Sequence, residues 1–212
     1  MQSLYRDFSH LYIEESCLDY EDTIILSEKF PKSKKIVIKD YKEFFNRPKQ
    51  NWKSQKKSSK IILAKKKDAL LYEGSPAAPN FGFDNFYYNT LVMNCLYDCS
   101  YCYLQGMYPS ANLVFFVNGE DFMNEVDKKR EVESPIYLCI SYDSDLLALE
   151  SLIPLCRRWI EFVNTRPDVF IEIRTKSANF KQINDIKPIN NVILAWTISP
   201  KEIAKKYETK TP

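Results

Sequence analysis

Stretches with strand character alternate with stretches of helix character from residue 86 to the end of the chain. Their aromatic and β-branched residues predict strands at 86–93, 112–118, 136–142, 169–175 and 192–198. The spacing of apolar residues, together with residues typical of helix ends, predicts helices at 120–132, 145–163 (kinked at Pro154), 178–186 and 200–208. This alternation favours an α/β fold in which helices cover a parallel sheet, closed as a barrel or as part of one.

Reactive and polar residues follow several of these strands. They are the cysteines within 95–102, residues 142–145, residues 175–176 and residues 197–199. The carboxyl ends of the strands in a barrel of this kind lie at one face and carry the chemistry. We therefore expect these segments to meet at a single site.

The first part of the chain has a different pattern of predicted helices and strands. A helix is predicted at 22–30 and strands at 34–39 and 60–65, and the proline-rich turn at 73–80 marks a boundary. We expect a small α/β extension over 1–80 and a partial barrel over 81–212. Only four or five barrel strands precede the end of the sequence, so either the sheet is open or the sequence is a fragment.

The charge of the chain is nearly balanced, with 30 basic and 28 acidic residues, but it is unevenly placed. The stretch 47–67, "RPKQNWKSQKKSSKIILAKKK", carries basic charges and no acidic ones. It is interpreted either as a patch that contacts phosphates or as a solvated, poorly ordered linker.

The chain has six cysteines, an even number that invites a disulfide interpretation. The start of the chain has no apolar signal-peptide core, and no apolar run is long enough to cross a membrane. We therefore expect a cytoplasmic protein whose thiols stay reduced. Clustered cysteines in such a protein more often bind metal or do chemistry than form disulfides.

Three of the cysteines, Cys95, Cys99 and Cys102, follow the first barrel strand with the spacing C-x3-C-x2-C. Structural zinc needs four ligands, which Cys139 or a distant residue would have to complete. A [4Fe–4S] cluster is normally held by four thiolates, so three leave one iron open to a small molecule. The spacing therefore favours a catalytic cluster, with structural zinc as the alternative.

This spacing, with Tyr101 before the third cysteine, resembles the signature of radical S-adenosylmethionine (SAM) enzymes. The string "CSYCYLQ" is similar to the cluster loop of the spore photoproduct lyase family. The segments "LYIEE", "FVNGEDFMNEV", "SDLLALESL", "RTK" and "AWTIS" are also similar to that family. The resemblance implies a radical SAM partial barrel, a [4Fe–4S] cluster and SAM as cofactors, and repair of a thymine dimer in DNA. It also implies an electron donor such as flavodoxin or ferredoxin.

The resemblance assigns a role to each matching residue. It implies cluster ligation by Cys95, Cys99 and Cys102, contact with SAM by Tyr101, Ser144, Lys176 and Thr197, and return of the radical by Tyr103. Simpler interpretations exist for five of these: a helix cap made by Ser144 with Asp145, a surface lysine at Lys176, a strand residue at Thr197, and packing at Tyr101 and Tyr103. Asn118, Gly119 and Glu120 imitate a SAM-binding motif but are interpreted as a helix start.

The chain departs from the family where a hydrogen-donor cysteine is expected. Tyr142 stands at that position in "YDSD", and a phenol is the candidate substitute. Alternation along the strand predicts that Cys139 faces away from Tyr142, as a core thiol. Two alternatives therefore stay open: a radical SAM enzyme with another substrate, and a non-catalytic nucleic-acid-binding relative.

Overall fold

The structure is a computed structural model that describes residues 8–212. The strands are β1 (His10–Glu14), β2 (Lys34–Ile38), β3 (Ile61–Ala64), β4 (Tyr72–Glu73), β5 (Asn85–Tyr88), β6 (Val92–Met93), β7 (Asp98–Cys99), β8 (Leu113–Phe116), β9 (Ile136–Cys139), β10 (Val169–Thr175), β11 (Val192–Trp196) and β12 (Glu208–Thr209). The α-helices are α1 (Glu21–Lys29), α2 (Lys42–Phe45), α3 (Trp52–Lys57), α4 (Leu104–Met107), α5 (Gly119–Val132), α6 (Leu146–Leu149), α7 (Leu155–Asn164) and α8 (Lys201–Tyr207).

The first sheet has the strand order β2-β1-β3-β8-β6, and all its pairs are parallel except β6 with β8. Strand β3 lies at its centre, and its apolar residues Ile61–Ala64 are fully buried. The basic stretch 47–67 thus contains α3 and a central strand. The interpretation of this stretch as a poorly ordered linker is wrong, because its apolar run is needed to complete the sheet.

The second sheet has the order β11-β10-β9-β5-β4, again parallel except for its last pair. The single strand predicted at 86–93 is divided between the two sheets, since β5 pairs in the second and β6 in the first. The chain bends at Leu91, between the two strands, and the main-chain amide of Asn89 donates to the Cys139 carbonyl at 3.2 Å. One apolar core extends across both sheets. These parallel sheets with their helices confirm the predicted α/β partial barrel.

Two helix predictions differ from the structure. The helix predicted at 145–163 is two helices, α6 and α7, because Pro154 has no amide hydrogen and stands in the break between them. The helix predicted at 178–186 is a single 3₁₀ turn at Phe180–Gln182. Helix α7 has a continuous buried face that packs on β10. The buried residues of this face are Leu155, Cys156, Trp159, Ile160 and Val163.

The boundary predicted at residue 80 is crossed by the sheets in both directions. Strand β4 precedes that residue and belongs to the second sheet, whereas β8 follows it and belongs to the first. The division into domains at 1–80 and 81–212 stays a prediction. Residues 1–7 of the first predicted domain lie outside the part of the chain that the structure describes. Within residues 8–212, no helix has the length and apolar composition needed to cross a membrane.

Candidate cofactor site at the cysteine loop

A cavity of about 300 Å³ lies at the ends of β9, β10 and β11, beside the loop that carries the three cysteines. We call residues 94–107 the cysteine loop and this space the candidate cavity. It is lined by all nine site residues predicted from the sequence. They are Cys95, Cys99, Cys102, Tyr101, Tyr103, Tyr142, Ser144, Lys176 and Thr197. The prediction that the strand ends meet at one site agrees with this geometry, whereas the individual roles stay predictions.

The cysteine loop begins at Asn94, which is fully buried and has a positive φ of 68°. Asparagine tolerates this left-handed conformation better than most residues. The Asn94 side-chain amide donates to the carbonyls of Ser110 and Asn112, at 2.8 and 2.7 Å. Asn94 therefore both turns the chain into the loop and ties the loop to the segment before β8.

Lys56 lies beneath the cysteine loop, although its position in the basic stretch suggests a surface residue. It is 7% exposed, and its ammonium group donates to the main-chain carbonyl of Cys95. Burial lowers the pKa of Lys56, while the nearby cysteines and Asp98 act in the opposite direction. The basic stretch therefore places a cation against the candidate cluster loop. Nothing in the sequence distinguishes Lys56 from its basic neighbours.

The donor set of the loop fits an iron–sulfur cluster. All three thiols are free. Burial raises the pKa of Cys95 to about 12, and burial together with the Glu208 carboxylate raises that of Cys99. Among residues 8–212, no three His, Cys, Asp or Glu side chains converge as ligands of a single ion would. Cysteine thiolates are the usual ligands of a [4Fe–4S] cluster, and all three thiols line the candidate cavity.

Asp145 connects the parts of the cavity wall. Its carboxylate accepts from the Ala148 amide at 3.0 Å and so caps α6. It also accepts from the Thr175 hydroxyl at 2.6 Å and the Lys176 amide at 2.7 Å. Burial raises the pKa of Asp145, and these hydrogen bonds oppose the shift. The helix cap expected at Ser144–Asp145 is therefore made by Asp145, which also fixes the end of β10.

Ser144 is left available to a ligand. Its hydroxyl is buried, lines the candidate cavity and has no hydrogen-bond partner in the described structure. A buried hydroxyl without a partner is costly unless a ligand or water satisfies it. Ser144 therefore fits a small polar ligand in the cavity.

Lys176 is not a surface lysine, since its side chain is only 16% exposed. Its ammonium group contacts Glu208 at 2.8 Å and lies 5.9 Å from the centre of the Tyr101 ring. Burial lowers the pKa of Lys176, but hydrogen bonds to Glu208 and Tyr101 give a net increase. Burial has the opposite effect on Glu208 and raises its pKa, but hydrogen bonds from Lys176, Ser199 and Tyr101 outweigh burial and lower the pKa to about 2. Sequence reasoning missed Glu208, because no local pattern links it to residues so far away.

Tyrosines form one side of the cavity. The rings of Tyr142 and Tyr88 are stacked with centroids 4.3 Å apart, and the Tyr103 hydroxyl donates to the Tyr142 carbonyl at 2.6 Å. Cys139 is the register partner of Tyr88, so it lies on the same sheet face as the Tyr142 ring. The expectation that Cys139 faces away from Tyr142 as a core thiol is wrong. The strand ends at Cys139, so alternation does not continue to residue 142.

The environment of Cys139 is polar. Its thiol lies 3.7 Å from a carboxylate oxygen of Glu172, which also accepts from the Tyr137 hydroxyl. Arg174 pairs with the same carboxylate at 2.6 Å. Burial raises the pKa of Cys139 to about 12, so this thiol stays protonated at neutral pH.

The helix-start interpretation of residues 118–120 agrees with the structure, in which α5 begins at Gly119. Asn118 accepts from the Lys66 amide at 2.9 Å and donates to Asp121 at 2.8 Å. These contacts tie the start of the helix to the chain that follows β3. The three residues lie outside the lining of the candidate cavity.

No family model matches this chain, and no curated protein matches it. Solved structures of spore photoproduct lyase are similar to it. One, complexed with dinucleoside spore photoproduct, has a TM-score of 0.80 at 19% identity. A variant with bound AdoMet and dinucleoside spore photoproduct has a TM-score of 0.81 at 19% identity, and a tyrosine-to-phenylalanine variant 0.83 at 18%.

These three matches each cover 98% of this chain and 62% of the matched chain. The chain therefore spans less than two thirds of the length of the lyase structures. At this identity the likeness shows the fold, and the chain has a spore photoproduct lyase-like fold.

Proposed function

We propose that this protein is a radical SAM enzyme related to spore photoproduct lyase and acts on a thymine dimer in DNA. The observation that carries the proposal is the candidate cavity, in which three thiols, a buried unpartnered hydroxyl and a lysine lie together. The solved lyases with this fold include one with AdoMet and the lesion dinucleoside bound. We further propose that it works in a reducing cytoplasm with a small electron-transfer protein as reductant.

Cys95, Cys99 and Cys102 would hold the cluster, and Ser144 would offer its hydroxyl to the amino-acid end of SAM. Thr197, exposed after β11, would lie near the ribose. When bound, the cluster and SAM supply a 5′-deoxyadenosyl radical, which is chemistry that the cofactors themselves carry. The chain's own contribution is to orient the ligand, to limit water access and to hold hydrogen-donating groups nearby.

Tyr142 would give a hydrogen atom to the repaired base and be left as a phenoxyl radical, which Tyr103 would pass back toward the cofactor. Both phenols line the candidate cavity, and the hydrogen bond from Tyr103 to the Tyr142 carbonyl holds the two rings side by side. Burial raises the pKa of Tyr103, so its phenol keeps its hydrogen at neutral pH.

A second candidate is a radical SAM enzyme that acts on another substrate. Tyr142 favours it, because a phenol stands where the family has a thiol and so changes the surface that a substrate meets. The two candidates share the cofactor chemistry and differ only in what enters the cavity.

The first test is anaerobic reconstitution with iron and sulfide, then reduction and addition of SAM, with 5′-deoxyadenosine as the readout. We expect 5′-deoxyadenosine from the wild-type chain and none from Cys99→Ala. The matched control is Cys139→Ala, which removes a thiol outside the cavity lining and should retain iron. A folded wild-type protein that takes up no iron would contradict the proposal.

The second test separates the two candidates. The reconstituted protein is incubated with SAM and either dinucleoside spore photoproduct or undamaged dinucleotide. Conversion of the lesion to two separate thymines supports the lyase. SAM cleavage without lesion repair supports the other substrate.

A further inference from the structure

The segment 207–212, which we call the strap, packs against the cysteine loop. Strand β12 pairs antiparallel with β7, so that Glu208 lies opposite Cys99. The Ser100 amide donates to the Tyr207 carbonyl at 2.8 Å, and the Lys210 ammonium donates to the Lys56 carbonyl at 3.0 Å. The strap thus joins the loop and the helix beneath it.

One carboxylate oxygen of Glu208 receives three hydrogen bonds from three separate parts of the chain. Lys176, after β10, donates at 2.8 Å, and Ser199, after β11, donates at 2.5 Å. Tyr101, in the cysteine loop, is the third donor. The Glu208 side chain is only 5% exposed, so this is a built carboxylate site.

Two of these three donors face the candidate cavity. Lys176 and Tyr101 line it, whereas Ser199 and Glu208 do not. A hydroxyl has one hydrogen to donate, so Tyr101 and Ser199 have none left for a ligand while they bind Glu208. The charge of Lys176 is also neutralised by Glu208.

The strap pairs with β7 over only two residues, and so short a pair of strands is only marginally stable alone. Release of such a segment is a local opening, which costs far less than unfolding the core. A ligand carboxylate of the same chemistry would recover the hydrogen bonds of Lys176 and Tyr101, the two Glu208 donors that line the cavity.

We propose that Glu208 is an internal competitor, which occupies this carboxylate site until the carboxylate of a bound amino-acid ligand displaces it and releases the strap from the cysteine loop. The inference rests on the proposed function, because the ligand that it names is the methionine end of SAM. Binding of the cofactor then removes the strap's contacts with the cysteine loop, so the loop is less ordered on that side.

The test measures equilibrium binding of SAM and of decarboxylated SAM to the full, reconstituted chain. We expect Glu208→Gln to bind SAM more tightly, on the order of tenfold. The uncharged side chain competes less well for the carboxylate site, so a larger fraction of the protein is free to bind the ligand. Decarboxylated SAM, which cannot use the site, should gain nothing. Glu202→Gln, an equal charge change at an exposed position of α8, should behave as wild type.

Unchanged or weaker SAM binding by a folded Glu208→Gln protein would overturn the inference and make Glu208 a positioning residue. A second measurement uses the wild type alone. Adding SAM should speed hydrogen exchange at the Ser100 amide, whose partner is in the strap, and slowed or unchanged exchange would count against displacement. Failure of every variant to bind SAM would instead reject the proposed function together with this inference.

Discussion

The ammonium group of Lys56 donates a hydrogen bond to the carbonyl oxygen of Cys95 from beneath the cysteine loop. A helix from the basic stretch therefore supports the first candidate ligand directly. The contact places positive charge where three thiolates and a cluster would gather negative charge. The basic stretch thus has a structural part in the site, beyond any contact with phosphates.

Replacing Lys56 with methionine should weaken iron retention while leaving the protein folded. Methionine fills similar space but removes both the charge and the hydrogen bond to Cys95. Loss of a supporting contact around a metal site typically costs roughly ten- to a hundredfold in metal affinity. The measurement is the rate of iron loss to a chelator after reconstitution.

The control is Lys53→Met, which makes the same change at an exposed position of the same helix α3. Equal iron retention in both variants would show that the charge beneath the loop is unimportant. Slow iron loss from Lys53→Met beside fast loss from Lys56→Met is the expected pattern.

Asn94→Ala should destabilise the protein by about 2–4 kcal/mol, because two carbonyls lose their donor and alanine is strained at positive φ. Asn94→Gly should cost less, about 1–3 kcal/mol, because glycine accepts the backbone conformation. The free energy of unfolding from denaturant titration measures both. Equal losses in the two variants would show that strain at this position contributes nothing.

Tyr142→Phe should prevent residue 142 from donating a hydrogen atom to the repaired base, without disturbing the site. Phenylalanine keeps the stack on Tyr88, and Tyr103 donates to the main chain of residue 142, so both contacts survive. We expect normal 5′-deoxyadenosine formation with reduced lesion repair. The comparison is Tyr88→Phe, which removes the other hydroxyl of the stacked pair, and an equal loss of repair there would contradict a specific role for the Tyr142 hydroxyl.

The protein should lose stability in acid through two ion pairs on α5. Arg166 lowers the pKa of Asp127, and Arg130 lowers that of Asp168, chiefly by hydrogen bonds. A carboxyl whose pKa is lowered by folding stabilises the protein above its unfolded pKa, and the effect is lost as the pH falls through its folded value. Each pair should contribute about 0.5–1 kcal/mol above about pH 4.

Asp127→Asn removes one of these titrating groups, so its melting temperature should fall less than that of the wild type between about pH 5 and about pH 3. Asp84→Asn, at an exposed position, is the matched control and should follow the wild type. Parallel melting curves for wild type and Asp127→Asn would contradict this assignment.

Much of the fold was predictable because its signals are local. The aromatic and β-branched runs predict β10 and β11 to within two residues, and the charge pattern predicts a helix at 120–132, where α5 spans Gly119–Val132. Cys95, Cys99 and Cys102 were predictable for the same reason, since their spacing is read within eight residues. The convergence of Lys176, Ser144 and Thr197 followed from the rule that strand ends share a face.

The remaining features depend on contacts between distant residues. The burial of Lys56 and the contacts of Glu208 arise from packing of segments far apart in sequence, which no local pattern records. The side on which Cys139 lies was mispredicted because the strand ends there, and the alternation of side chains ends with it. The split of the strand at 86–93 likewise reflects competition between two sheets for one segment.

The hydrogen bond from Tyr101 to Glu208 has a consequence for how the protein is made. It joins residues 107 positions apart, whereas the three thiols lie within eight residues. Contacts of large sequence separation form late in folding. During synthesis the thiols therefore reach solvent well before Glu208 exists, and the cysteine loop stays uncovered on that side. This interval is when iron and sulfide would enter most easily, and when oxygen would do the most damage.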